Sequence, residues 1–333
     1  MYVQKSILVF SNGEKIGDGI IKLSLLNEIK RRLPDFKLVW IANGTTVYNN
    51  HLKNIASQFI DQIFDQAYLN PFFWQKISNK YNFENLKFEY ILDTQKTVFR
   101  TIALKRINCS FFISNAASGF FLSKNNKKKI QNRFTKYYLE DLFDLLNLIK
   151  EDKVDKNFKF PIPKELFTEL NNFFDHKNKY IGIAPGAGEK NKIWPLENFI
   201  KIGKNFEKEK FKIVFFLGPE ENFIKEKIKK EFPNSLFPEE NIQNFSGFEV
   251  VMASTKFLSC ALTNDSGVAH MLSTNYCPLV KLFGHKDSVK FTPINKNIST
   301  ISSDEFGSKK ISDIPPDFVQ KKLELKIISN NNV

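Results

Sequence analysis

The sequence predicts an α/β protein built from two Rossmann-like domains whose parallel sheets face a central cleft. Strand-like apolar runs alternate with helical ones from the first residues. Each half begins with a strand that enters a glycine-bearing loop and then a helix, SNGEKIGDG (11–19) in one and APGAGEKNKIWP (184–195) in the other. The length of 333 residues suits two domains of about 150 residues each.

The first half shows the alternation up to a charged stretch with two prolines, EDKVDKNFKFPIPKELF (151–167). Composition of this kind is typical of a domain boundary. We therefore expect a first domain over 1–155 and a linker over 156–178. The predicted elements are strands at 7–10, 37–42 and 88–93, an apolar run at 59–64, and helices at 20–33, near 46–57 and at 137–150.

The second half restarts the pattern and predicts a domain over 179–313. Its strands are expected at 180–186, 211–218, 256–263 and 278–284, and its helices at 194–206, at 221–232 and shortly before 256. Pro195 is expected in the first turn of the helix at 194–206. In the remaining segment, residues 314–333, the pattern predicts an amphipathic helix over 315–328. This helix could cross back to the first domain, and the sequence does not decide whether it does.

Composition narrows the function classes. The 49 Lys and Arg against 36 Asp and Glu give a formal charge of +13, which favours anionic partners. Nucleic acid is not expected among them, because no recognition motif is present and the Phe residues follow core-like runs. No stretch is long and apolar enough for a membrane span, and the start MYVQKSILVF is unlike a signal peptide. Three cysteines without a CxxC motif favour buried thiols in a reducing cytoplasm.

The segment LTNDSGVAHM (262–271) places polar residues where a buried strand ends and a helix begins. If Ser266 caps this helix, the first-turn N–H groups of Gly267 and Val268 are available to an anion, and His270 lies on the same face as Ser266. Asp265 is expected to orient or cap the turn. The alternative is an ordinary capped helix with His270 packed beneath it.

Four segments together resemble glycosyltransferase family 9, the lipopolysaccharide heptosyltransferases. They occur in the family's order and span residues 7 to 293. The first is NDSGVAHM followed by PLVKLFGHKD, which is similar to the family's nucleotide-diphosphate-binding segment. The others are IAPGAGEKNKIWPLENF (183–199), LVFSNGEKIGDGIIKLSLLNEIKRRLP (8–34) and YILDTQKTVFR (90–100).

This resemblance implies the GT-B arrangement, with a nucleotide-sugar donor bound by the second half and a lipid-linked or saccharide acceptor bound by the first. It further implies inverting transfer from a donor resembling ADP-heptose to a lipopolysaccharide-core or other cell-envelope acceptor. No cofactor is expected. No metal ion is expected either, because the sequence lacks an Asp-x-Asp motif.

The donor site implied by the resemblance extends beyond 264–271. Lys192 would place a positive charge near the diphosphate or ribose, and its alternative role is a solvated loop lysine. Gly186 and Gly188 would let their loop approach the donor closely. Either Glu220 or Glu221, just after the strand at 211–218, would accept the ribose hydroxyls, and the sequence does not decide between them.

The acceptor site implied by the resemblance centres on Asp18, the candidate general base, beside the turn residue Gly17. By position alone we expect Asp18 to sit in a loop and cap the following helix, whereas the resemblance favours the base. Asp93, Gln95 and Arg100 follow another strand end and are expected on the acceptor side, although Asp93 could instead cap a turn.

Three positions depart from the family pattern. Ser11 replaces a usually basic residue, Lys96 replaces a glycine and Ser288 replaces a proline. Ser11 and Lys96 leave open a non-catalytic protein that binds a sugar nucleotide, and a different GT-B enzyme such as a nucleotide-sugar epimerase is a further alternative. The basic segment KNNKKKIQNRFTK (124–136) predicts either peripheral contact with the anionic inner membrane face, attraction of a phosphorylated acceptor, or a solvated charged segment.

Overall fold

A computed structural model gives the structure of residues 5–121, 138–155, 159–274, 277–284 and 297–331. The chain divides into two compact units, 1–158 and 159–333. Each unit is built on one five-stranded sheet in which every pairing is parallel. The predicted α/β class with two parallel sheets is therefore confirmed.

The first unit has the strand order β3-β2-β1-β4-β5. Its central strand β1 is almost continuously buried, as expected for a parallel sheet covered on both faces. The elements are β1 (Ser6–Ser11), α1 (Ile16–Arg32), β2 (Lys37–Ala42), α2 (Lys53–Ala56), β3 (Gln62–Phe64), β4 (Lys87–Asp93), α3 (Val98–Leu104), β5 (Asn108–Ser114) and α4 (Tyr138–Asn147).

The first unit differs from the sequence prediction in three places. Helix α1 begins at Ile16 instead of residue 20, so that Gly17 and Gly19 lie inside it. At Gly19 the helix packs closely, since an added Cβ would lie 2.4 Å from the Cγ2 of Val47. The helix expected near 46–57 is split, since Asn50 leaves the helical conformation between a short 3₁₀ turn and α2. The pattern also missed α3 and β5.

The second unit has the strand order β10-β9-β8-β6-β7. The strands β8 and β9 are buried at every position. The elements are α5 (Lys164–Phe173), β6 (Lys179–Ala184), α6 (Leu196–Lys208), β7 (Phe211–Phe215), α7 (Asn222–Glu231), α8 (Pro238–Asn241), α9 (Gly247–Ser254), β8 (Cys260–Asn264), α10 (Gly267–Leu272), β9 (Leu279–Phe283), β10 (Ile298–Ser302) and α11 (Pro316–Asn331).

Helices cover the second sheet and fix its core. The terminal helix α11 packs against β8, β9 and α6, and α5 packs against α9 within the range expected to be a linker. Pro195 precedes α6 as its N-cap residue, so that helix starts at Leu196, two residues later than expected. The apolar pattern did not predict strand β10, because this strand is short and rich in polar residues. None of the helices in the described ranges has the length and apolar character needed to span a membrane.

Candidate functional site

Each sheet has a switch point in its strand order. In the first unit the chain moves from β1 to β2 and β3, then crosses to β4 and β5 on the other side; in the second it moves from β6 to β7, then crosses to β8, β9 and β10. Doubly wound sheets bind ligands in the crevice outside the carboxyl ends of the strands at such points. The loops after β1 and β4, and those after β6 and β8, are therefore the candidate binding loops of the two units.

In the second unit, the side chain of Asn264 joins the loops after β6 and β8. Its Nδ2 donates to the carbonyl of Pro185 at 2.7 Å, and its Oδ1 accepts from the backbone N–H of Trp194 at 3.2 Å. Trp194 is fully buried, and its Nε1 donates to the carbonyl of Ile314 at 3.0 Å. The loop that carries Gly186, Gly188 and Lys192 is therefore fastened at both ends to the strand edge.

The carboxylate of Asp265 lies between two lysines. Its Oδ1 is 2.9 Å from the Nζ of Lys281, which is buried on β9, and its Oδ2 is 3.4 Å from the Nζ of Lys192, which also pairs with Glu189 at 3.2 Å. Burial opposes ionisation of Asp265, but the two ammonium groups and the hydrogen bond from Lys281 hold its pKa below the ordinary value. Asp265 is thus a fixed carboxylate that positions two cations.

Ser266 caps helix α10 as the sequence predicts, because its Oγ accepts a hydrogen bond from the N–H of Ala269 at 3.3 Å. Gly267 and Val268 form the first helical turn and are partly exposed. Their N–H groups have no acceptor within the helix. Since α10 has only six residues, its dipole is small, and the lysines around Asp265 supply most of the positive charge here.

His270 is buried beneath this turn. Burial lowers its pKa to about 3, and the charges of Lys281 and Lys192 act in the same direction against the opposing effect of Asp265. The imidazole is therefore neutral at physiological pH. This geometry matches the alternative in which His270 packs beneath a capped helix. A neutral imidazole in this position can donate a hydrogen bond to an anion but supplies no positive charge.

Glu221, and not Glu220, lies over the glycine loop. A Cβ placed on Gly186 would come within 2.1 Å of the Oε1 of Glu221, and one placed on Gly218 would come within 2.7 Å of its Oε2. Burial raises the pKa of the Glu221 carboxyl above its ordinary value. Glu220 is exposed, and no described residue lies within 4 Å of a Cβ added at Gly188.

In the first unit, Asp18 is the third residue of α1 and its side chain is exposed. The sequence placed it in a loop or at the helix cap, and both placements are wrong. The N-cap residue is Lys15, which makes no side-chain cap hydrogen bond, and Gly17 is buried within the first turn. An acidic residue in this position interacts favourably with the helix start and stays open to solvent.

One turn further along α1, the side chain of Lys22 is buried at the end of β1. Its Nζ donates to the Oγ of Ser11 at 2.9 Å. Burial lowers the pKa of Lys22, while the negative charges of Glu14 and Asp18 oppose that decrease. The chain therefore has a cation under its first strand end, supplied by α1.

Asp93, at the end of β4, is buried and uses both carboxylate oxygens inside the unit. Its Oδ2 accepts from the hydroxyls of Thr101 and Ser114 at 2.7 and 2.8 Å, and its Oδ1 accepts from the N–H of Gln95 at 2.9 Å. Burial raises its pKa to about 6 despite these hydrogen bonds. The side chain of Gln95 donates to Thr94, and Arg100 is partly exposed on α3.

A family model described as "Glycosyltransferase family 9 (heptosyltransferase)" matches residues 85–315, more than half of the chain, including the ends of β4, β6 and β8. The chain belongs to glycosyltransferase family 9. The predicted family is therefore confirmed, and the chain is a glycosyltransferase of lipopolysaccharide biosynthesis that uses a nucleotide-sugar donor and a saccharide acceptor. Family membership supports the transferase over the two alternatives left open by the sequence.

Individual proteins agree with this assignment. Lipopolysaccharide heptosyltransferase 1 of Campylobacter coli is 28% identical over 312 residues, which cover 86% of each protein. A family 9 glycosyltransferase structure from Veillonella parvula superposes with a TM-score of 0.72 at 16% identity, covering 99% of both chains. E. coli heptosyltransferase WaaC, solved with ADP-2-deoxy-2-fluoro heptose, gives 0.65 at 13% identity, over 96% of this chain and 99% of that one. The glycosyltransferase therefore has the GT-B fold.

Sequence reasoning missed two lysines of this glycosyltransferase, Lys281 and Lys22. The available signal was the same for both: a lysine within an otherwise apolar, buried element, LVKLF on β9 and IIKLSLL on α1. Lys96 pairs with Asp141 of α4 at 2.7 Å. Within the described ranges, no three His, Cys, Asp or Glu side chains group as metal ligands. Ser288 and the basic segment 124–136 lie outside the described residues.

Proposed function

We propose that this glycosyltransferase transfers heptose from an ADP-heptose-type donor to a hydroxyl of the lipopolysaccharide core, with inversion at the anomeric carbon and without a metal ion. The observation that carries the proposal is the pair of ionic contacts that Lys192 and Lys281 make with Asp265. This carboxylate lies just after β8 and next to the start of α10. The named ligand of the WaaC structure supports the choice of donor.

The donor diphosphate binds at the turn formed by Asp265, Ser266, Gly267 and Val268. Lys192 is the more exposed of the two lysines, 17% against 3%, so it can turn from Asp265 towards the phosphates while Lys281 stays paired. When the acceptor oxygen bonds to the anomeric carbon, the bond to the diphosphate oxygen breaks and negative charge grows on the leaving group. Lys192 and the N–H groups of Gly267 and Val268 stabilise that charge.

The rest of the donor lies along the loop after β6. Glu221 accepts the ribose hydroxyls, because its carboxylate lies beside Gly186 whereas Glu220 points to solvent. Gly188 leaves open space in which the donor can approach the backbone. His270 holds the turn from below as a neutral group.

The acceptor binds at the ends of β1 and β4 in the first unit. Asp18 takes the proton of the attacking hydroxyl, and its exposed position on the first turn of α1 leaves it open to a ligand. A single displacement of this kind inverts the anomeric centre. Gly17 shapes the turn, Gln95 and Arg100 contact the acceptor, and Asp93 holds their loop through its internal hydrogen bonds.

The proposal places the reaction in the cytoplasm, at the inner face of the membrane. The formal charge of +13 supports contact with an anionic leaflet, and the basic segment 124–136 is the proposed contact. Binding to vesicles with and without anionic lipid, compared for the full chain and a variant with these lysines changed to Gln, tests this part independently of catalysis.

The transfer itself is tested with purified protein, a panel of ADP-, UDP- and GDP-sugars, and heptose-free lipopolysaccharide core as acceptor, in the presence of a chelator. We expect transfer from ADP-heptose, with product anomeric configuration opposite to that of the donor by NMR. Donor binding without transfer would favour the non-catalytic alternative. A change of sugar stereochemistry without acceptor would favour an epimerase.

A further inference from the structure

Residues 70–77 of the first unit form a loop, here called the aromatic loop, that exposes three aromatic side chains. Phe72, Phe73 and Trp74 are 45%, 85% and 67% exposed. Their rings pack on one another: Trp74 stacks on Phe72 with ring centroids 4.9 Å apart and meets Phe73 edge-on at 4.9 Å. Single exposed apolar side chains are normal, but contiguous ones mark a surface that contacts a partner or a membrane. Neither the sequence motifs nor the proposed function gives this loop a role.

Hydrogen bonds hold the backbone of the aromatic loop. The N–H of Asn70 donates to the carbonyl of Ile77 at 2.8 Å, and its Nδ2 donates to the carbonyl of Lys76 at 3.1 Å, so the two ends of the loop are joined. The N–H of Gln75 donates to the carbonyl of Phe72 at 3.2 Å and closes the turn at the tip. Ile77 itself is buried in the core of the first unit. The exposed rings are therefore presented by a fixed backbone.

Arg106 joins the aromatic loop to helix α3. Its guanidinium, just beyond the C-terminal end of α3, donates to the carbonyl of Asn70 at 2.7 Å and to that of Gln75. Helix α3 has three exposed apolar side chains of its own, those of Val98, Phe99 and Ile102. This helix begins directly after the loop that carries Gln95. Helix α3 therefore links the aromatic loop to the proposed acceptor side of the unit.

The charges in these two segments of the sequence are all positive. Residues 66–83 contain two lysines and no Asp or Glu, and residues 94–139 contain ten Lys and Arg and no Asp or Glu. Lys76 and Lys105 are exposed, whereas the flanking carboxylate of Glu84 accepts a hydrogen bond from a backbone N–H at 3.2 Å. Exposed aromatic rings beside lysine and arginine are typical of a surface that binds an anionic bilayer. A second copy of the chain fits poorly, because two such basic surfaces repel each other.

We propose that the aromatic loop anchors the glycosyltransferase to an anionic bilayer: Phe73 and Trp74 insert between the lipid headgroups, and Lys76 and Lys105 bind the headgroup phosphates. Trp74 suits this position, because its apolar ring enters the acyl boundary while the indole N–H stays among polar groups. The inference rests on the proposed function, since it names the surface that holds the acceptor side of the first unit against the inner membrane face.

Trp74 is a built-in reporter of this contact. Of the three tryptophans in the chain, Trp40 and Trp194 are fully buried and the third, Trp74, is exposed. Vesicles of phosphatidylethanolamine and phosphatidylglycerol should therefore shift the tryptophan emission to shorter wavelength, and lipids brominated on their acyl chains should quench it. Vesicles of phosphatidylcholine alone should bind at least about tenfold more weakly, because the lysines find no anionic leaflet. Unshifted emission of protein that co-sediments with the anionic vesicles would overturn the proposal and leave the basic segment 124–136 as the contact.

A double variant, Phe73→Ser with Trp74→Ser, removes the anchor. Its matched control is Phe223→Ser with Leu325→Ser, which removes two side chains of the second unit that are 81% and 63% exposed. Co-sedimentation with the anionic vesicles should fall at least about tenfold for the first pair, as expected when two aromatic side chains no longer leave water, and stay within about twofold for the control. Both variants should unfold in urea like the wild type, because all four side chains are exposed. Equal vesicle binding by the two pairs would contradict the anchor, as would a wild-type dimer that only the first pair converts to monomers.

Transfer to a water-soluble, deacylated core separates this inference from the proposed function. Phe73→Ser with Trp74→Ser should keep the wild-type kcat on the soluble acceptor and lose activity, in proportion to its vesicle binding, on acceptor embedded in vesicles. An equal loss on both acceptors would refute the anchor. If the wild type transfers no sugar to either acceptor, the proposed function fails, and quenching of Trp74 by the brominated lipids still decides whether the aromatic loop inserts.

Discussion

The strand ends of the two sheets carry clusters of charged side chains with opposite ratios of carboxylates to ammonium groups. In the second unit one carboxylate, Asp265, lies between two ammonium groups at 2.9 and 3.4 Å. In the first unit the negative charges of two carboxylates, Glu14 and Asp18, raise the pKa of one ammonium group, that of Lys22, against the effect of burial. Two ammonium groups therefore share one carboxylate in the second unit, where Glu189 also pairs with Lys192 at 3.2 Å, whereas two carboxylates act on one ammonium group in the first unit.

This difference matches the two halves of a glycosyl transfer. A leaving diphosphate needs positive charge and N–H donors that are fixed before the reaction. An attacking hydroxyl needs a carboxylate that can take its proton and neighbouring acceptors that orient it. Under the proposed function, a similar sheet topology serves both tasks, and the charged side chains at the strand ends, not the fold, distinguish them.

The largest expected effect follows from removing the base. Asp18→Asn keeps the size of the side chain and cannot take a proton, so kcat should fall about 10²- to 10⁴-fold. The dissociation constant of the ADP-sugar should stay the same, because the proposed donor residues are in the other unit. Steady-state kinetics with both substrates varied, together with calorimetry of donor binding, checks both statements.

Asp35→Asn is the matched control for Asp18→Asn, since it removes another exposed carboxylate of the first unit. It should leave kcat within twofold of the wild type, about the spread expected for a neutral surface change. A kcat for Asp18→Asn that is equally close to the wild type would remove Asp18 from the mechanism.

The second prediction separates the two lysines around Asp265. Lys281→Met leaves a buried carboxylate with one partner fewer, so the free energy of unfolding of the second unit should fall by about 3 kcal/mol. Lys192 is more exposed, so Lys192→Met should cost less than about 1 kcal/mol of stability. Lys192→Met should instead lower kcat, because Lys192 is proposed to stabilise the negative charge of the leaving diphosphate. Urea unfolding and steady-state kinetics of both variants measure the contrast, and equal stability losses would contradict it.

The sequence predicted the donor turn because its chemistry is local. Ser266 precedes a short helix and follows an apolar strand, and the N-cap rule is enough to place it. Lys281 was not predictable in this way. It lies 16 positions after Asp265 within an apolar strand, and only the parallel register that sets Lys281 opposite Thr263 brings it to the carboxylate.

The first unit was harder to predict for a different reason. Gly17 and Gly19 lower helix propensity, so the pattern placed the start of α1 too late and put Asp18 in a loop. In the structure both glycines lie within the helix, and Gly19 packs so close to Val47 that a side chain there would clash.

The third prediction concerns pH and the second unit alone. The folded-state pKa of His270 is about 3, below the ordinary value of about 6.5, so between these values the unfolded chain binds one more proton. Stability should therefore fall on acidification, by about 2 kcal/mol from this group between pH 7 and pH 5. His270→Gln should reduce that pH dependence in urea unfolding experiments, whereas the exposed His176→Gln should not. Equal slopes for wild type and His270→Gln would mean that the imidazole is charged in the folded protein.

The smallest expected effect tests which part of the glycine loop touches the donor. In Gly186→Ala the new Cβ would meet the Glu221 carboxylate at 2.1 Å, so the flexible glutamate must move away from the proposed ribose position. Loss of about one hydrogen bond should raise the donor KM about fivefold, with kcat unchanged. Among the described residues, the new Cβ of Gly188→Ala meets nothing within 4 Å, so this variant should leave the donor KM near the wild-type value if Glu221 is the principal contact. If Gly188→Ala has the larger effect instead, the donor fills the open space at Gly188, and the ribose contact must be sought there and not at Glu221.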